Sequence, residues 1–257
     1  QLNSILSLLI SDNVRISITG SYFYLLFTIT SVITHILYLQ GDPLVWSAII
    51  LHTNPQAIKY VHYRYLQNGS DVITTVTYQA SIEGFVKYLD LRPEEAQQMI
   101  MSGVQLAKES VHEFMSHVRE PVVAGSVGPY GAFLHDGSEY TGAYEDKMTV
   151  EELKDWHRPQ IQCLVKAGAD LVAMETLPEF VEAKAWVSFS YKVTDTLRLS
   201  EVVQVACRSS LLVAVGVNCC PAPLVKLLLE SAKSHKKADL SWVVYPNSGE
   251  EWDPKTG

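Results

Sequence analysis

Cysteine is scarce, and that scarcity excludes more than any other absence in this chain of 257 residues. Cys163, Cys207, Cys219 and Cys220 are too few and too irregularly spaced for a disulfide framework, so a reducing cytoplasm is the expected compartment. No cysteine follows Cys220, so residues 221–257 cannot complete a multi-cysteine metal site. Basic charge is also in deficit. A net charge of -8 and a pI near 5.5, without a basic stripe, argue against a nucleic-acid partner. The one dense basic cluster, Lys233 with Lys236 and Lys237, reads as the solvated C-terminal turn of a helix, where cations complement the dipole. The histidines show no HxxxH or HxH spacing and read as ordinary surface or helix residues. No internal repeat or low-complexity tract is visible.

Apolar residues are not scarce. At 47% of the chain they supply a sizeable core, and 28.7 kDa suits one large domain of the size that α/β barrels reach. The N-terminal part stands apart as an atypical apolar segment over residues 1–40. Within it, 16–40 carries no formal charge and is long enough to span a bilayer. Seven Ser or Thr residues, Gly20 and His35 dilute its hydropathy, so it reads as a buried or aberrant segment rather than a membrane anchor.

From residue 41 onward, short apolar runs alternate with helical patterns. Residues 71–78, 121–127, 170–175, 186–190, 211–218 and 241–245 read as strands. Helices are expected over 92–117, opened by Pro93, Glu94 and Glu95, and from the TVEE capping pattern at Thr149 to about Ala167. Buried strands alternating with helices imply parallel βα units, and the expected architecture is a (β/α)8 barrel over 41–257. The count leaves it incomplete. An eighth strand has no sequence to come from, the first is atypical, and the link before Trp186 is too short for a normal crossover.

In such a barrel, chemistry sits at the C-terminal strand tips. The tips here carry Thr77 and Tyr78, Ser126 and Val127, Glu175 and Thr176, Asn218 and Cys219, and Tyr245 and Asn247. A carboxylate, hydroxyls, an amide and a thiol around one cavity suit a small zwitterion. Glu175 would hold its ammonium, and backbone N–H groups near Ser126 its carboxylate. Each residue also has a plain reading: Glu175 as a salt-bridging residue, Cys219 as a small buried hydrophobe, Tyr78 and Trp46 as core. Adjacent Cys219 and Cys220 project to opposite faces of a strand, so one at most points into a site.

Seven segments taken together resemble the homocysteine S-methyltransferase family: GDPLVWSA at 41–48, TNPQAI at 53–58, SDVITTVTYQAS at 70–81, AGSVGPYGA at 124–132, METLPE at 174–179, VGVNCCP at 215–221 and VVYPNSGE at 243–250. The match runs in order through most of 41–257. The resemblance implies a zinc-dependent (β/α)8 methyltransferase. Such an enzyme passes a methyl group from S-methylmethionine or S-adenosylmethionine, or from betaine in a more distant branch, to homocysteine, giving methionine. It implies Cys219 as a zinc ligand and Glu175 as the carboxylate receiving the homocysteine amino group. Trp46, Tyr78, Ser126, Val127 and Asn218 would line the pocket. Homocysteine and a sulfonium donor are the implied partners, with no nucleic acid.

Departures from the family pattern carry expectations of their own. The family's other two zinc ligands form a Gly-Gly-Cys-Cys motif that is not in this sequence, and no Asp-Gly-Gly motif precedes residue 41. These departures suggest a truncated or mis-spliced product with an impaired zinc site. A non-catalytic homocysteine- or amino-acid-binding protein without zinc is the alternative. The methyl donor and the oligomeric state are not fixed by these motifs.

Overall fold

A computed structural model describes residues 6–10, 25–26, 46–114, 121–178, 180–187, 199–207 and 209–247. In chain order, β1 (Leu6–Ile10) and β2 (Leu25–Leu26) come first. A 3-10 turn (Trp46–Ile49) leads into α1 (Ile50–Thr53) and α2 (Pro55–Gln67). Asn54 caps α2 by accepting the Ala57 N–H at 3.1 Å, and Pro55 fills the first position, where a missing N–H costs nothing. Next are β3 (Val72–Thr74), α3 (Ile82–Leu89) and α4 (Pro93–Phe114). Ser81 starts α3 by accepting the Gly84 N–H at 2.9 Å.

β4 (Val122–Val127) precedes α5 (Tyr130–Leu134) and α6 (Ser138–Thr141), two short helices. α7 (Val150–Lys166) opens on a reciprocal capping box: the Thr149 hydroxyl accepts the Glu152 N–H at 3.2 Å, and Glu152 accepts the Thr149 N–H at 2.8 Å. The chain continues through β5 (Leu171–Leu177), α8 (Phe180–Val187), α9 (Leu199–Ala206), β6 (Leu212–Pro221), α10 (Ala222–Ala232) and β7 (Ser241–Asn247).

These elements divide into two compact units. The first comprises 1–17, 128–158 and 174–251, and the second 18–127, 159–173 and 252–257; the boundary passes through α7 and β5. In the second unit β2, β3 and β4 are neighbours in that order and run parallel, with Val72 opposite Val122 and Thr74 opposite Ala124. Ile58, Leu66, Ile73, Phe85 and Ile100 form its fully buried core. The β-branched run expected over 71–78 is strand only to Thr74, after which hydroxyl bonds take over from the ladder. Asp170 anchors the entry to β5, accepting the Val123 N–H at 2.7 Å and Lys108 Nζ at 2.5 Å.

In the first unit the strands are ordered β5, β1, β6, β7. β6 and β7 run parallel, with Asn218 opposite Tyr245. They approach so closely at Gly216 that a Cβ there would overlap the Val243 carbonyl, which is why glycine occupies the position. Two expectations are corrected here. Trp186 and Val187 end helix α8 instead of starting a strand, so the short link is filled by helix; residues 188–190 lie outside the described ones. Between β5 and β6 lies β1, antiparallel to β6, with Leu6 opposite Val217 and Leu8 opposite Val215. A run of five residues, LSLLI, without charge can pair wherever an apolar strand edge is open. The architecture is therefore α/β with mostly parallel strands, and pairing among the described residues does not trace a closed ring. Most of 16–40 lies outside the described residues, and among those described no helix is long and apolar enough to cross a membrane.

Candidate active site

Three parallel-type strands of the first unit end in polar residues that meet. Glu175, on β5, is 7% exposed and accepts a hydrogen bond from the Tyr245 hydroxyl of β7 at 3.1 Å. Asn218, on β6, is fully buried, and its carboxamide faces β5. Its Nδ2 donates to Thr176 Oγ1 at 2.7 Å and its Oδ1 accepts the Thr176 N–H at 3.3 Å. The same Nδ2 reaches Cys219 Sγ at 3.3 Å, and Thr176 Oγ1 lies 3.7 Å from that sulfur. Asn247, on β7, donates to the Cys219 carbonyl at 3.3 Å.

Thr176 and Cys219 both adopt left-handed backbone, at φ 60° and 47°. A β-branched residue rarely does so, and each such position costs about 1–2 kcal/mol. Strain held at two facing strand tips, with one amide clamping both, marks a functional site. The bend at Cys219 also separates the paired thiols: Cys220 is buried, while Cys219 is partly open beside Thr176 and Asn218. Burial pushes the Cys219 thiol up to about 11, the Glu175 charge adds to that, and the bonds from Thr176 and Asn218 oppose it. At neutral pH the isolated side chain is a thiol.

Of the residues expected from sequence, Glu175, Asn218, Cys219 and Tyr245 come together, and Asn247 borders them. Ser126, Val127 and Tyr78 belong to the second unit. There the Ser126 N–H is already donated to Thr75 Oγ1 at 2.9 Å, and its carbonyl accepts Thr77 Oγ1 at 2.6 Å. The expected carboxylate cradle therefore loses the Ser126 N–H. Val127 is buried, Tyr78 is half-buried, and Trp46 opens a 3-10 turn.

Three features of the first unit go beyond the sequence reading. Thr176, read only as a strand-tip residue, is the partner that Asn218 clamps. The second is a buried cluster around Glu182 on α8, whose carboxylate accepts the Tyr130 N–H at 2.6 Å, the Tyr144 hydroxyl, and His157 Nε2 at 2.6 Å. Glu182 and His157 are fully buried, so His157 is no surface residue. Burial holds it below the ordinary histidine range and the Glu182 charge only partly restores it, so its Nε2 donates as a neutral imidazole. The third is Tyr140 on α6, which is half exposed. Its hydroxyl is pushed up to about 12, chiefly by burial. A glutamate inside an apolar helix was the only sequence signal for the second feature.

As for metal binding, Cys219 offers one thiol. Among the described residues no group of three His, Cys, Asp or Glu could hold an ion. The described residues therefore do not make up a complete zinc site.

Comparison with known proteins places this geometry. A family model described as homocysteine S-methyltransferase matches residues 30–257. Betaine-homocysteine S-methyltransferase of Drosophila melanogaster is 39% identical over 250 residues, covering 85% of this chain and 75% of that protein. Homocysteine S-methyltransferase 1 of Arabidopsis thaliana is 39% identical, covering 84% and 73%. The metallated crystal form of the Escherichia coli homocysteine methyltransferase MmuM superposes with a TM-score of 0.74 at 34% identity, covering 84% of this chain and 82% of that one.

Proposed function

The chain belongs to the homocysteine S-methyltransferase family, and we propose that it moves a methyl group from a sulfonium donor, S-methylmethionine or S-adenosylmethionine, to the sulfur of homocysteine. The observation that carries this reading is the polar group made by Glu175, Asn218 and Cys219 at the ends of β5 and β6, joined through Thr176 and Tyr245. Glu175, oriented by the Tyr245 hydroxyl, receives the homocysteine ammonium. That contact leaves the homocysteine chain pointing along the rim, with its sulfur on the Cys219 side. Trp46, Tyr78, Ser126 and Val127 are assigned as further pocket residues on the family resemblance. The same resemblance, supported by the MmuM superposition, reads the α/β fold as a (β/α)8 barrel domain over 41–257.

In the transfer, a sulfur lone pair forms a bond to the methyl carbon. The bond from that carbon to the donor sulfonium breaks, its electron pair returns to the donor sulfur, and a neutral thioether leaves. The homocysteine thiol gives up its proton to solvent water. Zinc, where bound, supplies the thiolate form at neutral pH, and Cys219 is the residue in this site that would ligate it. The protein's own part is to orient: Glu175 fixes one end of the substrate, and the Asn218–Thr176 clamp fixes the direction of Cys219. Incubation with homocysteine and S-methylmethionine, followed by mass spectrometry, tests this. The expected product is methionine bearing the donor's methyl group. Its absence with each sulfonium donor, in zinc-supplied protein, overturns the proposal.

A further inference from the structure

The two strands that carry the site are not neighbours. Glu175 lies on β5, Asn218 and Cys219 lie on β6, and β1 runs between them. β1 pairs antiparallel with β6, from Leu6 opposite Val217 to Ile10 opposite Leu212. The pairings of β2 with β3, β3 with β4 and β6 with β7 are parallel, so β1 is an insertion into the βα order. Neighbouring strands lie about 4.8 Å apart, so one strand between them holds β5 and β6 roughly 9–10 Å apart.

Where β1 stops matters as much as where it runs. Its described ladder ends at Leu6, level with Val217, one residue short of Asn218. Beyond that level a side chain crosses the gap: the Asn218 carboxamide reaches Thr176 Oγ1 at 2.7 Å and the Thr176 N–H at 3.3 Å. On its other side β6 cannot give way, because Gly216 already packs against the Val243 carbonyl of β7. The separation of the Glu175 and Cys219 strands is therefore set by β1. Side by side, β5 and β6 would stand about 5 Å apart, contact distance for the two side chains, with no room for an amino acid between them. One strand apart, they leave a gap that an amino acid bridges with its ammonium at Glu175 and its sulfur at Cys219. The length of that bridge selects the number of carbons between nitrogen and sulfur.

We propose that β1 is a spacer strand: by filling the gap between β5 and β6 it sets the reach from Glu175 to Cys219, and so selects homocysteine over cysteine, the amino acid one methylene shorter. This rests on the methyl-transfer reading above and deepens it. The uncharged run LSLLI thereby acts on the substrate without touching it, as a positioning element.

The test is calorimetric titration of homocysteine and of cysteine into the zinc-supplied protein, as wild type, Leu8→Pro, Leu8→Gly and Leu8→Val. Melting temperatures and hydrogen exchange at the β1 amides are read alongside. Leu8 sits mid-strand opposite Val215, where proline removes a ladder N–H, glycine weakens the strand and valine keeps it. Wild type is expected to prefer homocysteine by about tenfold or more, the discrimination that one methylene commands. Leu8→Pro should bring that preference below about threefold while its β1 amides exchange freely; Leu8→Gly should move it the same way, and Leu8→Val should keep the wild-type ratio. Leu8→Gly keeps the question answerable should Leu8→Pro fail to fold. A variant that exchanges freely in β1 yet keeps the preference overturns the proposal. So does equal weakening of both amino acids, the mark of a strand that only supports the fold, and so does wild type that takes the two equally. Unprotected β1 amides in wild type overturn it whatever binds. Wild type with protected amides that binds neither amino acid refutes the methyl-transfer reading itself, and this inference with it.

Discussion

Replacing Asn218 with alanine removes the clamp between the two strand tips, and its cost can be worked from the structure. The side chain is fully buried, and its contacts include Thr176 Oγ1 at 2.7 Å, the Thr176 N–H at 3.3 Å and Cys219 Sγ at 3.3 Å. Alanine leaves the buried Thr176 N–H without its acceptor, which costs about 1–3 kcal/mol. Relaxation of the left-handed Thr176 and Cys219 would offset part of this, at about 1–2 kcal/mol each. That release is blocked, because β6 is tied to β7 on both sides of the bend, Asn218 opposite Tyr245 and Pro221 opposite Asn247. The net expectation is a loss of about 2 kcal/mol, a fall in melting temperature of about 4–8 °C for a chain of this size. Urea unfolding followed by circular dichroism measures it. A loss below about 0.5 kcal/mol, within the range of an ordinary surface substitution, would show that the strand tips hold their geometry without the amide.

His62 is fully buried against the Thr74 carbonyl and its pKa is lowered to about 4, chiefly by burial. The unfolded chain binds a proton near pH 6.5 that the folded one refuses, so stability is fully present above that pH and is lost as pH falls toward 4. The loss is on the order of 3 kcal/mol from His62, with His157 acting in the same direction; urea midpoints unchanged between pH 7.5 and 5 would contradict this. Asp170→Ala strands the Val123 N–H and should cost about 2 kcal/mol, whereas Lys108→Ala removes only a part-exposed ion pair and should cost under about 1 kcal/mol. Equal costs would show that the ion pair, not the backbone bond, is what Asp170 contributes. Gly216→Ala forces a methyl into the Val243 carbonyl and should cost about 3 kcal/mol or prevent soluble expression; a variant as stable as wild type would disprove the close approach of β6 and β7.

The parts of the fold readable from sequence were those set by local pattern. The Thr149 capping box, the α4 start at Pro93, the buried runs of β4, β5 and β6 and the short apolar run of β7 each announce themselves within a few residues. Trp186 misled because a short apolar run without period suits a buried strand or a buried helix equally. The antiparallel insertion of β1 was not legible, since strand partners are chosen by tertiary packing and LSLLI carries no signal for one. At the site, residues inside motifs were found: Glu175, Asn218, Cys219 and Tyr245. Glu182 and His157 were missed for a physical reason. A buried hydrogen-bonded pair far apart in sequence looks like two ordinary helix residues until the fold brings them to 2.6 Å.

The role given to Glu175 is tested most directly by the affinity for homocysteine of wild type and of Glu175→Gln, measured by calorimetry in the presence of zinc. The substitution keeps the shape and the Tyr245 contact and removes only the charge that should meet the substrate ammonium. Binding by wild type and a loss of about ten- to a hundredfold in the variant is the predicted result, in line with a charged hydrogen bond of about 1.5–3 kcal/mol. Equal affinity in the two proteins would contradict it.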